Sequence, residues 1–186
     1  MTQPKGPSLC ASTHMPHPAS MALDSWLTIH TQNVISGFLR PLSEHPRWRL
    51  LYIVSPWISR FDSKAGLSFE DLLHRISVYK THTFVATRPP ETDWHLEALT
   101  RLAQTKRASI ALIPSLHTKL FCAETTKASL AMFGSANMTS QSIDNVEFGA
   151  VVLGHGDGET VCRRLFRHAA EVYRLKERKL FCQGRL

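Results

Sequence analysis

His117 and Lys119 stand two apart in the run Ser-Leu-His-Thr-Lys-Leu-Phe-Cys-Ala-Glu, and fifteen residues after the lysine comes Gly134-Ser135-Ala136-Asn137. Side chains two apart on a strand share a face, so the spacing predicts an imidazole and an ammonium projecting from one side of an extended segment. The glycine-led run marks a turn that offers the Ser135 hydroxyl and the Asn137 amide beside that face. An imidazole can attack an electrophile or carry a proton. The lysine adds a fixed positive charge, and the hydroxyl and amide add neutral hydrogen-bond donors. That inventory suits holding and attacking a phosphodiester. A histidine and a lysine at this spacing also occur on ordinary solvated strand edges, and it is the second run that tips the reading toward chemistry.

These residues resemble the signature of the phospholipase D superfamily: His-x-Lys, four residues, Asp, about six residues, then Gly-Ser-x-Asn. The match comprises His117, Lys119, Gly134, Ser135 and Asn137, continued by Thr139 and by Asn145-Val146-Glu147 leading into Phe148-Gly149-Ala150-Val151-Val152. Members of the family commonly carry a Glu at the start of such a final apolar strand. The resemblance thus makes Glu147 the candidate to accept a hydrogen bond from one His117 nitrogen and set its tautomer. Upstream, Leu50-Leu51-Tyr52-Ile53-Val54-Ser55-Pro56-Trp57-Ile58-Ser59 resembles the family's early core strand, with Ser55 at its end a candidate either to line the phosphate site or to form the turn before Pro56. The resemblance spans about Leu50 to Leu153.

Two departures stand out. Glu124 occupies the position of the family's Asp, and nine residues rather than six separate it from Gly134. The additional residues, Thr125-Thr126-Lys127 among them, are polar and fit a longer hairpin turn.

Attack on phosphorus without a metal needs a nucleophile, an acid for the departing oxygen, and positive charge on the non-bridging oxygens. One histidine cannot stand on both sides of an in-line displacement. Relatives with a single motif pair two chains about a two-fold axis, so the resemblance implies a homodimer with a shared site. It further implies a metal-independent phosphodiesterase without cofactor, using His117, Lys119, Asn137 and Glu147 catalytically through a phosphohistidine, with Ser135 and Ser55 binding substrate. Nucleic acid, DNA or RNA, is the expected substrate. The single-motif branch includes nonspecific endonucleases and catalytic parts of bacterial restriction and defence proteins. Two other readings stand beside this one: a phospholipase D-type lipid phosphodiesterase, and a catalytically inactive module that binds nucleic acid.

The chain must position these groups within 186 residues, enough for one domain with a core. Its net charge of +7 favours anionic partners, whether nucleic acid or an acidic membrane surface. No run is long and apolar enough to span a bilayer, and no signal-peptide pattern opens the sequence, so a cytoplasmic location is expected. Cys10, Cys122, Cys162 and Cys182 lack the paired spacing of a zinc site and are expected to be reduced thiols. His14 and His17 lie in a leader, residues 1–20, rich in proline and small polar residues and expected to be disordered. Met21 begins the first foldable stretch.

From Ala22 to about Ser43, apolar residues at helical spacing predict one or two helices ended near Pro41. Arg49 to Val54 is a buried strand, Ser68 opens a helix, and Thr83 to Thr87 is a strand closed by Pro89-Pro90. A helix over Thr92 to Thr105 and a strand over Ser109 to Ile113 follow. Then come the strand bearing His117 and Lys119, a strand near Ser129 to Phe133, and a last strand from Glu147 to Leu153. Strands alternating with helices and then hairpin-linked strands predict an α/β fold: a mixed sheet flanked by helices on both faces, phospholipase D-like. The Gly154–Gly158 run reads as a flexible connection. From Gly158 to Leu180 the pattern is one amphipathic helix with Arg163, Arg167, Arg174 and Arg178 on a single stripe, a candidate surface for nucleic acid. Trp57 and Phe61 are candidates either for base stacking or for packing.

Overall fold

Burial alternates along the central strand, and that alternation sets the layering. In β3 (Leu50–Val54), Leu51 and Ile53 enter one apolar cluster while Tyr52 and Val54 enter another, and all four are buried. A strand apolar on both sides demands cover on both sides. The computed structural model describes residues 22–23, 26–45, 47–62, 64 and 66–181, and it supplies that cover. Helices α1 (Val34–Glu44), α2 (Phe69–Val78) and α3 (Asp93–Gln104) pack on one face. On the other lies α5 (Asp157–Tyr173), through Cys162, Ala169 and Val172. The predicted α/β architecture with helices on both faces is the one observed. The leader with His14 and His17, and also Met21, Cys10 and Cys182, lie outside the described residues.

Among the described residues the sheet has nine strands, and with β1 (Ala22–Leu23), β2 (Leu27–His30) and β9 (Lys179–Leu180) at its margins the order is β1-β2-β8-β7-β6-β3-β4-β5-β9. Strands β3, β4 (His82–Thr87) and β5 (Ala108–Leu112) run parallel, joined through α2 and α3. Strands β6 (Leu120–Glu124), β7 (Ser129–Gly134) and β8 (Gly149–Leu153) form an antiparallel meander, with the short α4 (Ser140–Asp144) between the last two. The two halves meet where β3 pairs antiparallel with β6. Ser68 caps α2 as its composition predicts: its hydroxyl accepts from Asp71 N at 3.1 Å, and the Asp71 carboxylate accepts from Ser68 N at 3.3 Å. The polar hairpin turn is also present, closed by Thr125 N donating to Ala128 O at 2.8 Å.

Four expectations are corrected. Before Val34 the chain is not helical: Ala22–Leu23 and Leu27–His30 are strands β1 and β2, and β2 pairs antiparallel with β8. Thr28 and Ile29 suit a strand, and Asn33 at φ 52° breaks the chain before α1. Pro41 does not end α1, which runs to Glu44, because only the last turn lies beyond it. At the other end α5 stops at Tyr173, and Lys179–Leu180 form β9 against the otherwise unpaired edge of β5. The arginine stripe is thereby broken. Arg178 folds back, donating to Tyr173 O at 2.9 Å with its guanidinium 5.2 Å from that ring, and Arg163 pairs with Glu159 at 2.6 Å. Lastly, His117 and Lys119 sit just before β6 rather than in it, and Glu147 just before β8.

Candidate active site

Strand register alone brings the signature together. Val54 pairs with Leu120, Leu120 with Phe133, and Phe133 with Ala150. One residue past these pairs, Ser55, Lys119, Gly134 and Gly149 line up across one end of the sheet. Gly134 N donates to Lys119 O at 3.4 Å, continuing the ladder to that point. On the parallel side, Val54 pairs with Ala86, which places Thr87 and Arg88 at the same end.

His117 is exposed here, held by the buried Leu116 beside it, whose N–H donates to Ile113 O at 3.1 Å. Lys119 Nζ donates to His117 O at 3.1 Å. Ser55 is fully buried: its hydroxyl donates to Trp57 O at 2.7 Å, accepts from Met138 N at 3.0 Å and lies 3.5 Å from Asn137 Oδ1. Ser59 N donates to Met138 O at 2.9 Å, and Ser140 N to Ser59 Oγ at 3.0 Å. The Gly-Ser-x-Asn turn, which leaves β7, is therefore laced to residues 55–59, which leave β3 two strands away. Each of these hydroxyls is partnered; among the described residues no buried side-chain nitrogen or oxygen lacks a hydrogen bond.

Glu147 lies in this region, with other partners than the sequence suggests. Its carboxylate accepts from Ser135 Oγ and, at 3.4 Å, from Ser142 Oγ. Ser135 in turn accepts from Phe148 N at 3.0 Å, so Glu147 braces the turn. The ring of His117 faces a residue that the motif does not name. Arg88 Nη2 lies 2.8 Å from His117 Nε2 and 3.4 Å from Nδ1, while its Nε donates to Leu116 O at 2.9 Å. A guanidinium can only donate, so the closer contact places a lone pair on Nε2. The same guanidinium stands 5.2 Å from the Trp57 ring centroid. The sequence held a faint signal for Arg88: a basic residue between a strand end and Pro89-Pro90.

Beneath Arg88, Thr87 Oγ1 donates to Pro56 O at 3.1 Å and lies 3.0 Å from His95 Nε2. A hydroxyl has one proton, so with that proton on Pro56 the His95 ring must be the donor at Nε2. His95 is buried, and desolvation pulls its pKa down to about 4. Between that value and the ordinary 6.5 the unfolded chain binds a proton that the folded one refuses, so this brace weakens as pH falls through that window.

Glu124 is remote from all of this. It sits at the opposite end of β6, paired with Arg49 at 2.5 Å on the surface. That strand separates it from the His117 end by roughly 16 Å at ~3.3 Å per residue. Phe61 packs in the core against Phe69, whereas Trp57 is at the surface. Cys122 and Cys162 are free and buried, and burial pushes both thiols up. Among the described residues no group of three His, Cys, Asp or Glu side chains gathers as a metal-binding set, and no helix is long and apolar enough to cross a membrane.

No protein-family model matches the chain, and no curated protein matches its sequence. Solved structures do match. Nuc from Salmonella typhimurium, described as a phospholipase D family member, aligns over 83% of this chain and 98% of its own, with a TM-score of 0.57 at 12% identity. NucT from Helicobacter pylori aligns over the same shares with a TM-score of 0.57 at 9% identity. The polyphosphate kinase of Porphyromonas gingivalis aligns over 89% of this chain but 24% of its own, with a TM-score of 0.53 at 10% identity. Since the likeness to Nuc runs through nearly that whole protein, what the two share is an architecture: this chain has a phospholipase D-like fold.

Proposed function

We propose that the protein is a metal-independent phosphodiesterase acting on nucleic acid, with His117 as its nucleophile. One observation carries the reading: an exposed imidazole with a lone pair on Nε2, in contact with Arg88, stands at the sheet end that also carries Lys119, Ser135 and Asn137. Three charged or amide groups around a nucleophile suit the anionic oxygens of a phosphodiester. The overall charge of +7 favours a polyanion.

In this proposal His117 Nε2 attacks phosphorus, forming a P–N bond as the P–O bond to the leaving group breaks. The departing oxygen takes a proton from His117 of the partner subunit. That imidazole then accepts a proton from water as the water oxygen attacks phosphorus and the P–N bond breaks. Lys119 and Asn137 hold non-bridging oxygens by charge and by amide N–H. Arg88 covers the Nε2 lone pair, and a bound phosphate draws the guanidinium onto its oxygen and frees the nucleophile.

The second copy is proposed because a lone histidine serves one side of an in-line displacement. The surface beside the site supports it. Val146 is 85% exposed and Phe148 57%, and both flank Glu147, with Phe133 exposed nearby. Apolar side chains so open to water gain by covering one another.

The test is cleavage of labelled single- and double-stranded DNA and RNA in excess EDTA, beside a labelled phospholipid. Undiminished cleavage of nucleic acid is expected. Complete loss on chelation rejects the mechanism, and hydrolysis of the lipid alone moves the substrate class. Arg88→Ala is expected to lower kcat/KM for the cleaved strand by roughly 100- to 1,000-fold, the range for losing one transition-state hydrogen-bond donor. Steady-state kinetics measures it, and an unimpaired Arg88→Ala removes the guanidinium from the mechanism.

A further inference from the structure

A cleft of about 240 Å³ opens beside the Gly-Ser-x-Asn turn, lined by Ser59, Arg60, Trp94, Glu97, Thr139, Ser140 and Gln141. We infer that it holds one unstacked base of a single-stranded nucleic acid, an inference that rests on the phosphodiesterase reading above. The cleft lies next in sequence to Asn137, the group proposed above to hold phosphate. Thr139 follows Asn137 by two residues, at most about 7 Å along the chain, and its N–H donates to Asn137 O at 2.9 Å. A base hanging from a nucleotide whose phosphate lies at Asn137 reaches that far.

The lining fits a neutral ring. Trp94 is 45% exposed, and its indole stacks on buried His95 at 5.7 Å and 23°, so the platform is held in place before a ligand arrives. Arg60 is not a free anchor for phosphate: it contacts Glu97 at 3.1 Å and Glu70 at 3.6 Å, and those carboxylates repel an anion. Ser140 and Gln141 present both donors and acceptors, which suit any base edge. At about 240 Å³ it is small beside the ~300–1,000 Å³ of drug-sized pockets, on the scale of one planar ring. The cleft thereby favours single strands and imposes little sequence preference, since every base has a face to stack.

The experiment measures equilibrium affinity by fluorescence anisotropy for a short labelled single-stranded oligonucleotide, and for the same strand with one abasic residue scanned along it. Cleavage is followed in parallel. Trp94→Ala is expected to weaken binding of the intact strand by about 5- to 100-fold, the range for one stacked base, and Trp94→Phe to retain most of it. One abasic position weakens binding to the wild type similarly and adds nothing in Trp94→Ala. Equal affinity of wild type and Trp94→Ala, or an abasic penalty undiminished in the variant, overturns the inference. The abasic scan on wild-type protein needs no substitution, so absence of any abasic penalty overturns it even if the variants fold poorly. Cleavage with Trp94-independent binding rejects the cleft and keeps the nuclease, whereas Trp94-dependent binding without cleavage keeps the cleft and rejects the phosphodiesterase.

Discussion

His117→Ala is expected to reduce cleavage at least about ten-thousand-fold, because nucleophile and leaving-group acid vanish together when both copies carry the change. The fold should survive it, since His117 is exposed and its ring contacts only Arg88 among the described hydrogen bonds. An unchanged thermal melt alongside lost turnover separates chemistry from unfolding. Mixing gives the sharper version. Where wild-type and His117→Ala chains exchange freely at equal amounts, a site built from two histidines leaves about one quarter of the wild-type rate, the share of dimers with both. A self-sufficient protomer leaves about half. Retained full activity in His117→Ala rejects the site assignment outright.

Gly134→Ala is expected to be the most damaging single-methyl change in the site. A Cβ there would lie 2.2 Å from Phe148 O and 2.6 Å from Gly149 Cα, both backbone atoms that no rotamer change can move aside. Strands β7 and β8 must part at the point where Ser135 N donates to Phe148 O at 2.8 Å, and the turn carrying Ser135 and Asn137 moves with them. A loss of about 2–4 kcal/mol is expected. For a domain of this size that lowers Tm by roughly 5–15 °C, with cleavage impaired even where the protein stays folded. Gly156→Ala is the contrast. That glycine has φ +53° and ψ −133°, a pairing almost confined to glycine, but open space around it, so the change is limited to backbone strain of about 1–3 kcal/mol. Calorimetry of the two variants checks the ordering, and a Gly134→Ala melt indistinguishable from wild type rejects the close packing of β7 on β8.

Sequence pattern disclosed what is local. The spacing of His117 and Lys119, the glycine-led turn, the Ser68 cap and the polar hairpin each depend on residues within a few positions of one another. Ser55 was legible because a strand ending in Ser-Pro-aromatic resembles a known one. The partner of His117 was not legible. Arg88 reaches the ring only because β3 and β4 run parallel with Val54 beside Ala86, and pairing of that kind leaves no mark in either strand. Glu147 misled for the same reason: a strand-edge acid looks alike whether it faces a histidine or two serines. At the ends of the chain, helical spacing competed with sheet edges. Leu27 to Ile29 and Lys179–Leu180 found unpaired backbone to satisfy, and edge pairing overrode periodicity.

The seam between β3 and β6 divides the site by origin. Everything the signature names lies after β5, while Ser55, Trp57, Ser59, Arg88 and Trp94 all come before it. Substrate preference can therefore diverge through the first half while the reactive letters of the second stay identical. Two chains with the same motif need not share a diet, and the residues that tell them apart are ones no signature would inspect.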